Sequence, residues 1–157
     1  MHSKICAFRG NHNVWEVPYF ARFPNAAPAA ELTPDDLATL ESIERRVLWL
    51  ATNIIHHANN VRPNPDKTKV GGHQASSASV VSILTALYFH YLNGRDRVAI
   101  KPHASPAYHA VQYLLGALDR HYLTELRAFH GLQSYPSRTK DPDRVDFSTG
   151  SVGLGAV

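Results

Sequence analysis

The spacing of apolar residues predicts two helices in the first half of the chain. Between residues 37 and 55 the apolar positions recur every three or four residues, which marks one face of a long helix. Thr33 suits the N-cap and Pro34 the first helical position, and the helix is expected to end near residues 59–60. A second helix is predicted over residues 76–93. Because it is apolar on almost every side, we expect it to be deeply buried.

The second half of the chain alternates between strand and helix signals. Residues 97–101 form a strand candidate, Ser105-Pro106 cap a third helix to Gly116, and a fourth helix is predicted over residues 119–131. This order is typical of an α/β domain with a parallel sheet flanked by helices. One strand does not make a sheet, so we expect residues 31–157 to be the helix-rich front part of a larger domain. Residues 1–30 are expected to form an irregular N-terminal arm.

Composition excludes several classes of protein. The 157 residues suffice for one domain, with 44% hydrophobic and 18% charged residues, as in a folded globular chain. The net charge is only +3 and the basic residues are scattered, which argues against nucleic-acid binding. The single cysteine, Cys6, excludes a disulfide framework and suits a reducing compartment. No secretory or membrane-spanning run is present, so we expect a soluble cytoplasmic protein without a membrane partner.

Two of the ten histidines stand in settings that suit a site. His73 follows Gly71-Gly72 at a helix entrance, where glycines let a ligand approach and free N–H groups favour an anion. His103 lies between the strand candidate and the third helix, and ligands gather at the carboxyl ends of strands. Such imidazoles can orient a substrate or transfer protons. The alternative is a plain loop at His73 and helix capping around His103. No metal-ligand spacing is present.

Four segments, taken in order over residues 31–157, resemble the thiamine-diphosphate enzymes of the transketolase family. The resemblance is strongest to the homodimeric first (decarboxylating) component of the pyruvate dehydrogenase complex. The segments are Gly71-Gly72-His73-Gln74-Ala75-Ser76-Ser77, Lys101-Pro102-His103-Ala104-Ser105-Pro106, Leu132-Gln133-Ser134-Tyr135-Pro136 and Ser151-Val152-Gly153-Leu154-Gly155.

The resemblance implies a role for five residues. His73 and His103 would be catalytic residues that line the active-site funnel and orient the substrate. Ser76 would lie close to the cofactor or substrate. Ser151 and Val152 would lie beside the aminopyrimidine of thiamine diphosphate. The implied activity is cleavage of a carbon–carbon bond next to a carbonyl, as in 2-oxo acid decarboxylation.

Departures from the family pattern bear on the metal and the substrate. The family holds magnesium with a Gly-Asp-Gly motif and a later asparagine, which this chain lacks, so the metal ligands are expected beyond its end. The second domain, which supplies a glutamate across the dimer interface, is also lacking. The resemblance therefore implies an N-terminal fragment, inactive alone, of a homodimeric enzyme. Lys101-Pro102 matches neither the pyruvate dehydrogenase nor the transketolase pattern, so a 2-oxo acid and a ketose phosphate both remain open as substrates.

A non-catalytic function is the alternative. The apolar helix over residues 80–92 would suit a small helical module that binds a partner or assembles as an oligomer, because a monomer of this size would leave part of that surface uncovered.

Overall fold

A computed structural model describes residues 31–152 of the chain, and this part is helix-rich. Its elements are α1 (Pro34–His56) with a π-helical turn (His57–Val61), α2 (Gln74–Ala78), α3 (Val81–Ala86) with a second π-helical turn (Leu87–Tyr91), a 3-10 turn (Pro102–Ala104), α4 (Ser105–Leu114) and a last 3-10 turn (Arg120–Thr124).

Helix α1 begins as predicted, and its π-helical turn carries the helix to Val61, close to the predicted end near residues 59–60. Thr33 is its N-cap: the Thr33 side chain accepts a hydrogen bond from the Asp36 amide, and the Asp36 carboxylate accepts one from the Thr33 amide at 3.0 Å. Pro34 follows at the first helical position. The hydrogen bonds from the Thr33 hydroxyl and amide lower the pKa of the Asp36 carboxyl below 3.8.

The core lies between α1 and α4. Helix α1 contributes an apolar stripe, and α4 is buried along almost its whole length. The buried α1 residues are Val47, Leu50, Ala51, Ile54 and Ile55. The buried residues of α4 run without a break from Ser105 to Gln112. The centre of the domain is therefore α4, which carries the His103 segment at its start.

The second predicted helix is not continuous, and the deep burial expected for it holds for only part of its surface. The helix begins at Gln74 and breaks at Ser79–Val80, where the Ser79 hydroxyl donates to the Ser76 carbonyl at 2.9 Å. Such a bond competes with helical pairing. In the following α3 segment Leu84 and Tyr88 are buried, but Ile83 is 60% exposed.

The fourth predicted helix is also wrong beyond its first turns. Only Arg120–Thr124 is helical, as a 3-10 turn, and Arg127 and His130 have left-handed backbones with φ of 59° and 60°. Those values do not continue a right-handed helix. The chain instead turns back, and Leu126 and Leu132 form an isolated parallel bridge.

The predicted strand at residues 97–101 does not form within the described range, and residues 31–152 contain no named strand. Two of its backbone groups bond to side chains instead. The Val98 amide donates to the Asp146 carboxylate at 3.1 Å, and the Thr149 hydroxyl donates to the Ile100 carbonyl. The helix-rich expectation is thus confirmed, while the parallel sheet stays a prediction. In residues 31–152 no helix combines the length and apolar character needed to span a membrane.

Candidate active site

A cavity of about 630 Å³ opens where the end of α1, the start of α2 and the turn before α4 meet the later loops. Its lining includes His73, His103 and Ser151, so it joins three of the four motif segments. The remaining segment reaches the same cavity through Ser134 and Tyr135. Residues that are far apart in the sequence therefore meet at one place.

The glycine pair forms the wall of the cavity next to α1. The Gly71 amide donates to the Asn59 side-chain oxygen at 2.7 Å, and Gly71 is buried. A Cβ on Gly71 would lie 2.7 Å from the Ile55 carbonyl oxygen, which is too close for any side chain. Gly72 has φ of +84°, a backbone conformation that favours glycine. The two glycines are therefore needed for different reasons, close approach at Gly71 and backbone freedom at Gly72.

The two candidate histidines approach the cavity from separate elements. His73 is the N-cap residue of α2 in an extended conformation, and His103 lies in the 3-10 turn that leads into α4. Both side chains are exposed and line the cavity. Within residues 31–152 no hydrogen bond or ion pair engages either imidazole, so their nitrogens are accessible to a ligand.

Tyr135 and Ser151 lie together on the cavity wall, with 3.1 Å between their hydroxyl oxygens. Just before Ser151, the Gly150 carbonyl accepts a hydrogen bond from the Lys101 ammonium group at 3.0 Å. Lys101 is not part of the lining. Lys101, which departs from the family pattern, thus connects its own segment to the residue that precedes the last motif segment.

Ser105 places a polar atom with no partner at the base of the cavity. Ser105 is 1% exposed, it belongs to the lining, and its hydroxyl makes no hydrogen bond within the described residues. The expectation that Ser105-Pro106 cap the third helix was wrong, because the N-cap is Ala104 and no side chain of this segment caps it. The Ala107 amide instead donates to the hydroxyl of Ser77 in α2, at 3.1 Å.

The other two candidate residues lie outside the lining. Ser76 is half-buried beside Ser77 in α2, and its carbonyl accepts the Ser79 hydroxyl. Val152 is 89% exposed and is the last described residue. Of the five candidates, the cavity therefore brings together His73, His103 and Ser151.

The cavity is lined by basic side chains without acidic ones. Beside His73 and His103 the lining holds His56, Lys69 and Arg127, and among residues 31–152 no aspartate or glutamate belongs to it. This charge favours an anionic ligand. Within residues 31–152 no group of three or more histidine, cysteine, aspartate or glutamate side chains is arranged to hold a metal ion.

Sequence reasoning missed several lining residues. Ser105 and Tyr135 lie inside quoted motifs, so a closer reading of those segments would have included them. Lys69 and Arg127 belong to none of the four motif segments. They reach the cavity through turns whose course depends on contacts with distant residues.

Comparison with known proteins shows similarity to pyruvate dehydrogenase E1 components. The protein from Mycobacterium tuberculosis is 35% identical over 132 residues, covering 74% of this chain and 14% of that protein. The protein from Haemophilus influenzae is 31% identical over 146 residues, covering 86% and 16%. The protein from Escherichia coli K12 is 28% identical over 162 residues, covering 96% and 18%. No protein-family model matches the sequence.

The class of protein is indicated by these similarities, which extend over most of the chain's own length. The family they indicate is that of the pyruvate dehydrogenase E1 components, and the expected resemblance is confirmed. The chain spans only 14% to 18% of the length of the relatives described above.

Proposed function

We propose that this chain is part of a thiamine-diphosphate-dependent enzyme that cleaves the carbon–carbon bond next to the carbonyl of a 2-oxo acid. The observation that carries the proposal is the meeting of His73, His103 and Ser151 on one cavity. These residues come from separate segments of the motif series. The relatives are pyruvate dehydrogenase E1 components, which supports a 2-oxo acid as substrate.

The cavity fits a cofactor that combines an aromatic ring with an anionic tail. Its volume of about 630 Å³ lies within the usual range for small-molecule sites. The Gly71-Gly72 wall has no side chain in the way, and the buried Ser105 hydroxyl has no protein partner in the described range. Ser151 would hold the aminopyrimidine, with Val152 next to it and Ser76 close behind Ser77. When bound, thiamine diphosphate supplies a nucleophilic carbon and an electron sink.

The protein residues orient the substrate and move protons. His73 and His103 present accessible imidazoles, and imidazole exchanges protons near neutral pH. The basic lining attracts the carboxylate of a 2-oxo acid. We assign substrate orientation and proton transfer to these two histidines, because within residues 31–152 the cavity is lined by no other histidine except His56.

The remaining parts of the proposal concern the parent protein. Magnesium prefers oxygen ligands, and following the family resemblance we place those ligands in other parts of the parent protein. We place residues 31–157 at the front of a thiamine-diphosphate-binding domain with a parallel sheet, in a homodimeric cytoplasmic enzyme. This assignment follows the family resemblance, and the single cysteine suits such a compartment.

Titration of the isotope-labelled 157-residue chain with thiamine diphosphate and Mg²⁺ tests the site by NMR. We expect shifts of the His73, His103 and Ser151 signals, and a weaker response in a Ser151→Trp variant, whose side chain would occupy part of the cavity. His121→Gln, at an exposed histidine outside the lining, is the control and should leave the response unchanged. Shifts confined to residues outside the cavity would refute the assignment.

The expected inactivity of the chain alone has a separate test. With thiamine diphosphate, Mg²⁺ and pyruvate we expect no release of CO2 above a protein-free control, because the proposed metal ligands lie elsewhere in the parent enzyme. Measurable turnover would show that this chain is sufficient for the reaction, and it would contradict that part of the proposal.

A further inference from the structure

Three buried polar side chains lie in a row along α4. Ser105, His109 and Gln112 are separated by four and then three residues, so they share one face of the helix. Each of the three is at most 1% exposed. The face of a helix that packs into a core is ordinarily apolar, and polar groups in such a position need hydrogen-bond partners.

Every member of this row has a polar atom without a partner. Among residues 31–152, the Ser105 hydroxyl, the His109 Nε2 and both polar atoms of the Gln112 amide make no hydrogen bond. Ser105 lines the cavity, so its hydroxyl is open to a ligand bound there. His109 and Gln112 lie one and two turns further along α4 and are not part of the lining. These two residues therefore need a partner of their own.

The His109 ring is held in a defined orientation. Its Nδ1 lies 2.8 Å from a carboxylate oxygen of Asp143, and the Tyr108 ring packs against it with 5.4 Å between the ring centroids. Because the two nitrogens lie on different sides of an imidazole, Nε2 points away from this carboxylate oxygen. Nε2 accepts a hydrogen bond when it carries no proton and donates one when it does. In either state it has no partner among residues 31–152.

The Gln112 amide belongs to the same part of the interior. Residues three apart on a helix are neighbours, with about 5–6 Å between their Cβ atoms, and helical side chains lean toward the N-terminus of the helix. The Gln112 side chain therefore extends over the turn that contains His109. The two side chains make no direct hydrogen bond with each other, although both are buried.

We propose that ordered internal water binds between His109 and Gln112. Water donates and accepts hydrogen bonds, so it serves Nε2 in either protonation state as well as both ends of the Gln112 amide. A buried water makes about three hydrogen bonds to polar groups that otherwise have no partner. These two side chains offer three such atoms. The inference is independent of the proposed function, because neither residue lines the cavity.

The water site belongs to the connection between α4 and one wall of the cavity. Asp143 lies in the loop between Tyr135 and Ser151, and both of these residues line the cavity. Water bound to the His109 Nε2 holds the ring in the plane in which Nδ1 meets Asp143. Gln112 thus helps to fix the loop, because it holds the water that binds His109.

Water-to-protein NOE and ROE spectra of the isotope-labelled 157-residue chain test the site directly. We expect cross-peaks between a long-lived water and the Gln112 side-chain amide protons, and between this water and the ring protons that flank the His109 Nε2. Opposite signs in the NOE and ROE spectra distinguish bound water from chemical exchange. If the folded chain shows neither set of cross-peaks, the proposal is overturned.

A Gln112→Met variant provides an independent test, in which a dry and a hydrated interior give opposite results. Methionine has nearly the shape of glutamine without its polar atoms. In a dry interior the exchange removes two unpaired groups, which raises the urea midpoint of unfolding and overturns the proposal. In a hydrated site it removes hydrogen bonds to the water, so we expect a lower midpoint and weaker water cross-peaks at His109. Gln74→Met, at an exposed glutamine of α2, is the matched control and should leave those cross-peaks unchanged.

Discussion

His109 and Asp143 form a buried pair, with 2.8 Å between the imidazole Nδ1 and a carboxylate oxygen and no exposure of either side chain. The pair joins the middle of α4 to the loop between Tyr135 and Ser151. The neighbouring Tyr108 hydroxyl donates to the Arg144 carbonyl at 2.5 Å, which adds a second connection. These contacts fix the loop that carries one wall of the cavity.

Replacing Asp143 with alanine should lower the free energy of unfolding by about 1–3 kcal/mol, because a buried donor then loses its partner. Urea unfolding of the chain measures the change. Asp66→Ala is the matched control, since Asp66 is exposed and its side chain makes no hydrogen bond within the described residues. Equal free energies of unfolding of the two variants would show that the His109–Asp143 pair contributes nothing to stability.

The Asp141 carboxyl should give the chain a characteristic pH dependence. Burial raises the pKa of Asp141 above 3.8, although the Gln133 and Ser137 amides each donate to it at 2.7 Å. The folded state therefore binds this proton more tightly than the unfolded state does. As the pH rises from below 3.8 through the folded pKa, Asp141 lowers the free energy of unfolding, and above that range its effect is constant.

An Asp141→Asn variant lacks this titration and isolates it. We expect the free energy of unfolding of the parent chain, relative to the variant, to fall with increasing pH across that window. Chemical denaturation between pH 3 and 7 provides the measurement, and a relative stability that rises with pH would reverse the assigned direction.

The buried Ser77 should stabilise the start of α4. Its hydroxyl accepts the Ala107 amide, one of the helix N–H groups that has no partner inside the helix. Ser77→Ala should therefore cost about 1–3 kcal/mol by leaving this amide buried and unpaired. Thermal and urea unfolding check the loss. The exposed Ser79 provides the control, because its bond to the Ser76 carbonyl competes with the helix and Ser79→Ala should cost less.

Gly71 should not tolerate even alanine. The added Cβ would meet the Ile55 carbonyl oxygen at 2.7 Å, and a backbone atom inside α1 cannot move away freely. We expect Gly71→Ala to lower the free energy of unfolding by about 1–3 kcal/mol, as overpacking does. Gly150→Ala is the control, since a Cβ there has no neighbour within 4 Å. A small change in the free energy of unfolding at Gly71 would mean that α1 and the glycine pair can move apart without a loss of stability.

Local signals predicted the parts of the fold that depend on neighbours in the sequence. Thr33, Pro34 and the apolar period define α1, and the Ser105-Pro106 pair lies at the start of α4. The break at Ser79 and the left-handed Arg127 arise from single hydrogen bonds and from distant packing, which periodicity does not contain. The same limit applies to the site. Motifs in the sequence identified His73, His103 and Ser151. The position of Lys69 and Arg127 at the cavity follows only from the three-dimensional course of two turns.

The cavity draws its lining from stretches of chain between Ile55 and Ser151, so it exists only after these distant stretches have come together. Contacts between residues so far apart in sequence are expected to form late in folding. A ligand in this cavity binds the native chain and not the unfolded one, and mass action then raises the melting temperature with ligand concentration. Ligand binding in the cavity and the stability of the native fold are thus coupled in this chain.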